Sequence, residues 1–170
     1  MVANALLTSK NQEWETPPEF FDRLHGAYNF TVDACATDNN KKLDTFWSPE
    51  QDGLSKSWAG HRVWLNPPYQ NRKPGQIDWV RKAFTEVKDN DCELAACLLP
   101  ARTDTKLFHD YVMKASTILF VRGRLRFVGA PASAVFPSMV VIFERWTYRQ
   151  IDPWWSQKPT FGTISAKERQ

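Results

Sequence analysis

Short continuous runs of apolar residues recur along this 170-residue chain, separated by polar segments and by segments of helical periodicity. Such runs are typical of strands that are buried on both faces, as in parallel sheets. They predict five strands, over residues 30–35, 61–65, 94–99, 118–121 and 139–143. Because helical segments alternate with these strands, the pattern predicts an α/β fold with a mostly parallel sheet flanked by helices.

The first predicted helix carries signals at both of its ends. Thr16 is a typical N-cap residue, Glu19 completes a capping box with it, and Pro17 occupies the favoured first helical position. Gly26 is expected to end the helix. These signals predict a helix between Thr16 and Gly26, just ahead of the first strand.

Two further helices are predicted from apolar residues that share one helical face. In the second helix, Asp78 is placed to pair with Lys82 one turn later. The third begins near Thr105. Their apolar faces comprise Ile77, Val80, Phe84 and Val87 in the second helix, and Leu107, Phe108 and Tyr111 in the third. Residues 39–60 are rich in loop signals, so little regular structure is expected there.

The length of the chain suffices for one well-buried core and is too short for two ordinary domains. The chain is polar and aperiodic at its start, and it loses apolar periodicity after Trp146. We therefore expect a mobile arm over residues 1–12, one domain over residues 13–146 and a loosely packed tail over residues 147–170.

Several classes of protein are disfavoured by the sequence. No apolar run approaches the roughly 20 residues of a membrane span, and the N-terminus lacks a signal-type apolar region, so a cytoplasmic protein without a membrane partner is expected. Three Cys and three His show no zinc-binding or disulfide-type spacing, and no metal is predicted. Neither a P-loop nor a G-x-G-x-x-G motif occurs.

Basic charge is concentrated in one part of the chain. The net charge is only +3, yet the segment from Pro100 to Arg126 holds six Lys or Arg and two Asp, a local balance of +4 that leaves −1 for the remainder. Such clustering is typical of proteins that bind a polyanion, although a merely solvated face would look similar.

The tetrapeptide Asn66-Pro67-Pro68-Tyr69 directly follows the predicted strand 61–65. Its two prolines remove two backbone donors and fix two φ angles, which predicts a rigid loop. Such a loop lies where open α/β sheets bind ligands. The Asn66 amide and the Pro67 carbonyl can each accept an N–H, and Tyr69 can stack. The loop therefore suits a flat ring with an exocyclic amino group.

The Asn-Pro-Pro-Tyr motif resembles the catalytic loop of amino-methyltransferases that use S-adenosylmethionine (SAM). From about Trp14 to Phe143 the chain is similar to the small phage-type DNA adenine-N6 methyltransferases of the Dam-like family. The segments that carry this resemblance are WETPP at 14–18, VDACAT at 32–37, DGL at 52–54, RVWLNPPY at 62–69, LPARTDT at 99–105, GRLRF at 123–127 and FPS at 136–138.

The resemblance implies a compact Rossmann-like, SAM-dependent methyltransferase domain whose last strand is antiparallel. It also implies methyl transfer to N6 of an adenine in DNA, either flipped out of the duplex or single-stranded. The catalytic residues would be Asn66, Pro67, Pro68 and Tyr69. SAM would be the cofactor, with no metal, and the protein would act in the host cytoplasm if phage-encoded. We expect a monomer or a weak homodimer.

The resemblance further places SAM at the start of the first helix and at the turn after the first strand. Asp33 would bind the cationic amino-acid moiety of SAM, and Asp52 matches an acidic position near the adenine end. The usual glycines are absent from the turn, and either Asp could instead be a structural turn residue. The full cofactor set is Trp14, Thr16, Pro17, Asp33, Ala34, Cys35, Asp52 and Asn66.

If the strands that precede them are parallel, two basic loops should lie beside Tyr69 and contact DNA. The residues concerned are Arg102, Lys106, Arg122, Arg124 and Arg126. Alternatively, these arginines pair with carboxylates such as Asp104 or Glu144 and hold the last strands together.

Other activities remain open at this point. Cytosine N4 presents a similar exocyclic amine, some relatives methylate protein amides, and a SAM-binding or DNA-binding protein without catalysis would share the same motifs. Only 30 residues separate Asp33 from Val63, and the tail is short. A separate target-recognition region has little room, so site specificity is expected to be short or relaxed.

Overall fold

In the computed structural model, residues 14–69, 73–145 and 160–166 are described, and they form three α-helices, one 3₁₀ helix and six strands. The helices are α1 (Pro18–Tyr28), α2 (Gln76–Asp89), α3 (Lys106–Asp110) and the 3₁₀ helix Val112–Lys114. The strands are β1 (Val32–Asp33), β2 (Arg62–Leu65), β3 (Leu94–Pro100), β4 (Thr117–Arg122), β5 (Ser138–Glu144) and β6 (Thr160–Ser165). The predicted α/β class is confirmed.

The six strands form one sheet in the order β1-β2-β3-β5-β4-β6. The pairs β1/β2, β2/β3 and β4/β6 are parallel, whereas β5 is antiparallel to both β3 and β4. The strand over residues 139–143, the last of the five predicted, is antiparallel as expected, whereas the last strand of the structure, β6, was not predicted and is parallel to its neighbour. Because β5 opposes both of its neighbours, the carboxyl ends of all the other strands lie at one edge of the sheet.

Apolar side chains cover both faces of this sheet. All seven residues of β3 are buried, as expected of a central strand between two layers. One face packs against α2 and the other against α1. The α2 side includes Val63, Leu65, Val80, Ala83 and Leu99, and the α1 side includes Phe20, Leu24, Trp64, Leu98 and Leu125. None of the helices in the described ranges is long and apolar enough to cross a membrane.

The capping prediction for α1 is wrong. Pro17 is the N-cap, with an extended ψ of 132°, and no side chain caps the helix. The residue before a proline is disfavoured in the helical region, so the helix begins at Pro18. Thr16 is therefore one position too early to cap, and Glu19 closes no capping box. Gly26 lies inside the helix, which continues to Tyr28 and is followed by Asn29 as the C-cap, in a left-handed conformation with φ 48°.

The charge pairing predicted for α2 is also different in the structure. Asp78 pairs with Arg81 at 2.8 Å, and it accepts the backbone N–H of Gly75 at 2.9 Å. Lys82 instead pairs with Glu86 at 2.7 Å. Asp78 is thus occupied at the helix start, where a carboxylate satisfies a backbone donor that has no partner within the helix.

The C-terminal segment contains a strand that was not predicted. Strand β6, which runs parallel to β4, lies inside the segment 147–170 that was expected to be loosely packed. The rest of that segment, apart from residue 166, lies outside the described residues, as does the predicted arm 1–12. Residues 39–60 contain no helix or strand, as predicted, and Phe46 forms a single bridge with Asp33.

Candidate active site

A cavity of about 540 Å³ lies at the sheet edge where β1 and β2 end. Its size is that of a pocket for a cofactor or drug-sized ligand. Six of the eight predicted cofactor residues line it, whereas Pro17 and Ala34 are buried outside the lining. The six are Trp14, Thr16, Asp33, Cys35, Asp52 and Asn66. The topology therefore brings the segment before α1 and the turn after β1 to one cavity.

Asn66 presents an acceptor atom that has no hydrogen-bond partner among the described residues. Its Nδ2 donates to the backbone carbonyl of Trp14, and its Oδ1 is buried without a hydrogen bond. Since a carbonyl can only accept, the amide nitrogen must face Trp14, and this fixes which amide atom is Oδ1. A buried polar atom without a partner costs about 1–3 kcal/mol. Asn66 also lines the cavity, so this unsatisfied oxygen belongs to a residue that a ligand can contact.

The remaining loop residues divide between the cavity and the protein core. Pro67 and Pro68 line the cavity, whereas Tyr69 does not. The half-buried Tyr69 donates its hydroxyl to the Leu98 carbonyl at 3.3 Å, and burial raises the pKa of this phenol far above its ordinary value. Its ring lies 5.5 Å from that of Phe136, at 68°. Tyr69 is therefore a neutral, anchored ring, and its stacking on a substrate stays a prediction.

Asp33 is a buried carboxylate at the cavity wall. It accepts the backbone N–H of Lys42 at 3.1 Å and that of Cys35 at 3.4 Å. Burial raises the pKa of Asp33 to about 6, although these two hydrogen bonds oppose the shift. Near neutral pH the group is mainly ionised at an energetic cost, so a cationic ligand group would stabilise it. Among the described residues, no group of three or more His, Cys, Asp or Glu could hold a metal ion.

Gly53 lets two segments of the cavity wall approach closely. A Cβ at this position would lie 2.2 Å from the Ala34 carbonyl oxygen and 3.2 Å from the Trp79 ring. The Gly53 carbonyl accepts the indole N–H of Trp58 at 2.9 Å. The neighbouring Asp52 is exposed, with φ 49°, and its carboxylate accepts a backbone N–H within its own turn at 3.2 Å. Asp52 therefore acts as a turn residue, which was the alternative to a cofactor role, and it also lines the cavity.

Several cavity residues were not predicted from the sequence. Trp47 and Trp79 contribute aromatic surface, and Glu15 and Lys42 line the cavity as an ion pair at 2.8 Å. Trp47 is a large apolar residue within the polar loop 39–60, and this contrast could have indicated that it lines a site. No local signal exists for the ion pair, because its two residues are 27 positions apart in sequence.

The predicted DNA-binding side chains lie at or just beyond the carboxyl ends of β3 and β4, at the same edge of the sheet: Arg102, Arg124 and Arg126 are on loops, Lys106 begins α3 and Arg122 ends β4. All five are exposed, and none forms an ion pair within the described part of the chain. Arg124 and Arg126 are exposed and alternate with the buried Leu125 and Phe127, so the segment packs inward through its apolar residues. The Arg126 guanidinium also donates to the carbonyls of Ala130 at 3.4 Å and Pro131 at 3.5 Å. Pairing with carboxylates, the alternative explanation, finds no support here.

The sequence matches the family described as DNA N-6-adenine-methyltransferase (Dam) over residues 4–168. It is similar to a DNA N-6-adenine-methyltransferase of Haemophilus phage HP1 (strain HP1c1), with 30% identity over 139 residues that cover 77% of this chain and 78% of the relative. A DNA N-6-adenine-methyltransferase of Escherichia phage T1 is 33% identical over 114 residues, covering 66% of this chain and 45% of the relative.

Proposed function

Because the chain belongs to the DNA N-6-adenine-methyltransferase (Dam) family, we propose that it transfers a methyl group from SAM to N6 of adenine in DNA. The observation that carries this proposal is the buried Asn66 Oδ1, which lacks a partner at the edge of a ligand-sized cavity. An exocyclic amine is the group that such an acceptor suits. The position of the cavity at the ends of parallel strands supports the finer proposal of a Rossmann-like methyltransferase fold.

The cavity residues fit the chemistry of SAM. Asp33 offers a carboxylate for a cationic group, and Trp14, Trp47 and Trp79 offer aromatic surface for the adenine ring. Thr16 and Cys35 contribute smaller polar side chains to the same wall. When bound, SAM supplies an electrophilic methyl group on a sulfonium.

The catalytic loop orients the acceptor amine. Asn66 Oδ1 and the Pro67 carbonyl each accept one N–H of the adenine amino group, which directs the nitrogen lone pair away from the protein acceptors. The Asn66 Nδ2 bond to Trp14 keeps the amide in that orientation. An amide is too weak a base to hold a proton, so the proton leaves to solvent after transfer. The rate gain therefore comes chiefly from positioning.

The base must leave the duplex to reach this loop, unless the DNA is single-stranded. Extrusion costs a few kcal/mol, and stacking on an aromatic side chain contributes about 1–3 kcal/mol per base. We assign this stacking to Tyr69, whose hydroxyl bond to Leu98 anchors the ring. A transfer assay with labelled SAM and DNA, RNA and protein acceptors tests the proposal. Digestion of the DNA to nucleosides must yield N6-methyldeoxyadenosine, whereas N4-methyldeoxycytidine, a methylated protein or no transfer would contradict the proposal.

Asp33 gives SAM binding a specific pH dependence. Its pKa is raised from 3.8 to about 6, so the folded protein retains this proton more tightly than the unfolded chain. Below pH 4, protonated Asp33 makes its full contribution to the free energy of unfolding. This contribution, on the order of 3 kcal/mol, is lost as the pH rises through 6. Only the ionised carboxylate attracts a cation. SAM affinity, measured by calorimetry, should therefore increase between pH 5 and pH 7.

The variant Asp33→Asn separates the effect of the Asp33 charge on SAM binding from its effect on stability. We expect it to weaken SAM binding by about 1.5–3 kcal/mol, the range for a charged hydrogen bond, and to remove the pH dependence. At pH 7 the melting temperature of the cofactor-free protein should change little, because removing a buried charge is offset by losing one of the two backbone hydrogen bonds that the carboxylate accepts. Asp38→Asn, at an exposed position that pairs with Lys41, is the matched control. Unchanged SAM affinity in Asp33→Asn would place the cationic group elsewhere.

The exposed arginines give a second test of the proposed DNA contact. Replacing Arg124 and Arg126 together with Ala should weaken DNA binding about equally on all sequences. The slope of log affinity against log salt should fall by roughly two, one for each phosphate contact. Arg81→Ala with Lys88→Ala removes the same charge from α2 and is the control. A lower melting temperature with an unaltered salt slope would mean that Arg124 and Arg126 serve stability alone.

A further inference from the structure

Residues 14–16, here called the N-terminal strap, connect two functional loops through their backbone carbonyls. The Trp14 carbonyl accepts Nδ2 of Asn66 in the catalytic loop. The Glu15 carbonyl accepts the backbone N–H of Val128 at 3.0 Å, next to the segment that carries Arg124 and Arg126. The strap therefore holds the catalytic amide and the arginine-bearing segment at the same time.

A third connection joins the strap to the turn after β1. Lys42 Nζ lies 2.8 Å from the Glu15 carboxylate, and the backbone N–H of Lys42 donates to Asp33 at 3.1 Å. The Lys42 side chain is only 9% exposed and that of Glu15 is 29% exposed. Breaking a pair in this environment leaves a charge without compensation, so the pair is a firm connection rather than a weak surface contact.

A ligand in the cavity would contact both the strap and the turn after β1. Trp14, Glu15, Thr16, Asp33 and Lys42 all line the cavity. A molecule that contacts both the strap and the turn restricts their relative motion. The freedom lost when DNA orders the catalytic and arginine-bearing segments is then smaller, which makes the two binding events cooperative without a large change in structure.

We propose that Glu15 and Lys42 are a positioning pair that links occupancy of the cofactor cavity to the orientation of Asn66 and to DNA binding. The pair acts through the strap and does not touch the reacting atoms. This inference rests on the proposed function, because it takes SAM and DNA as the two ligands. By linkage, each ligand tightens the binding of the other by the same factor.

The test is a binding cycle with S-adenosylhomocysteine and a fluorescent duplex DNA. In the wild type, saturating S-adenosylhomocysteine should tighten DNA binding by about 5-fold or more, the lower end of typical coupling. In Lys42→Met, which keeps an apolar stem of similar length, this factor should fall to nearly one. The kcat should fall with it, while KM for DNA changes less. Lys42→Arg should restore both the coupling and kcat.

Controls separate this role from general stability. Lys41→Met makes the same change at the neighbouring exposed lysine and should leave the coupling factor unaltered. If Lys42→Met does not fold, Glu15→Gln tests the same pair with a smaller change. Wild-type coupling near one would overturn the inference, as would unaltered coupling in Lys42→Met or Glu15→Gln. Failure of the wild type to produce N6-methyladenine would instead overturn the proposed function.

Discussion

Asn66→Ala is expected to lower methyl transfer by on the order of 10²- to 10³-fold or more, the range for removing one group that stabilises a transition state. The physical reason is that the variant loses the acceptor Oδ1, which has no partner in the part of the chain that the structure describes. SAM affinity should stay within a few-fold of the wild type, because the charged contacts of the cofactor are assigned to Asp33. Transfer kinetics and calorimetry on the same preparation measure the two effects.

Asn66→Asp is the matched variant for this test. It keeps an acceptor oxygen at the same place but loses the Nδ2 donor to the Trp14 carbonyl. It should therefore retain more activity than Asn66→Ala and less than the wild type. If SAM affinity collapsed together with activity in Asn66→Ala, the acceptor role would be wrong and Asn66 would be mainly a cofactor residue.

Gly53→Ala is expected to damage both stability and cofactor binding, although it adds a single methyl group. The new Cβ would lie 2.2 Å from the Ala34 carbonyl oxygen, and a clash with backbone cannot be relieved by a change of rotamer. Overpacking of this kind costs about 1–3 kcal/mol, occasionally more. The loop must move away from the turn after β1, which distorts the wall between Asp33 and Trp79. Thermal melting and SAM calorimetry should both detect the change.

Gly26→Ala provides a control of the same chemistry. Gly26 lies within α1, and no atom lies within 4 Å of a Cβ built there. This variant should gain about 0.5–1 kcal/mol, since alanine favours the helical conformation more than glycine does. Its SAM affinity should be unaltered. Wild-type SAM affinity in Gly53→Ala would show that the close approach at Gly53 is unimportant to the cavity.

The parts of the fold that the sequence predicted well are those that carry the site. β2 and β3 are buried along most of their length, so their apolar runs stand out from the flanking residues. Because both runs are followed by distinctive loops, the positions of Asn66 and Arg102 at one sheet edge could be inferred before the structure. The resemblance of the motifs to the Dam family is confirmed by the match over residues 4–168.

The features that the sequence did not predict depend on partners distant in the chain. In the described part of the chain, β6 pairs with β4, and its sequence TFGTIS contains no continuous apolar run that would have indicated a buried strand. The Glu15–Lys42 pair and the contact of Gly53 with Ala34 likewise have no local pattern. The roles assigned to the individual cavity residues stay predictions until the variants are measured.

The position of β5 inside the sheet affects how the chain folds while it is being synthesised. β3 pairs along all seven of its residues with β5, from Leu94 opposite Glu144 to Pro100 opposite Ser138. One side of β3 therefore stays open until the chain has grown past residue 144. Until then, a fully apolar strand presents unpaired backbone groups, which is the signature of an aggregation-prone intermediate. Premature termination within residues 101–137 should thus yield insoluble fragments rather than a smaller folded protein.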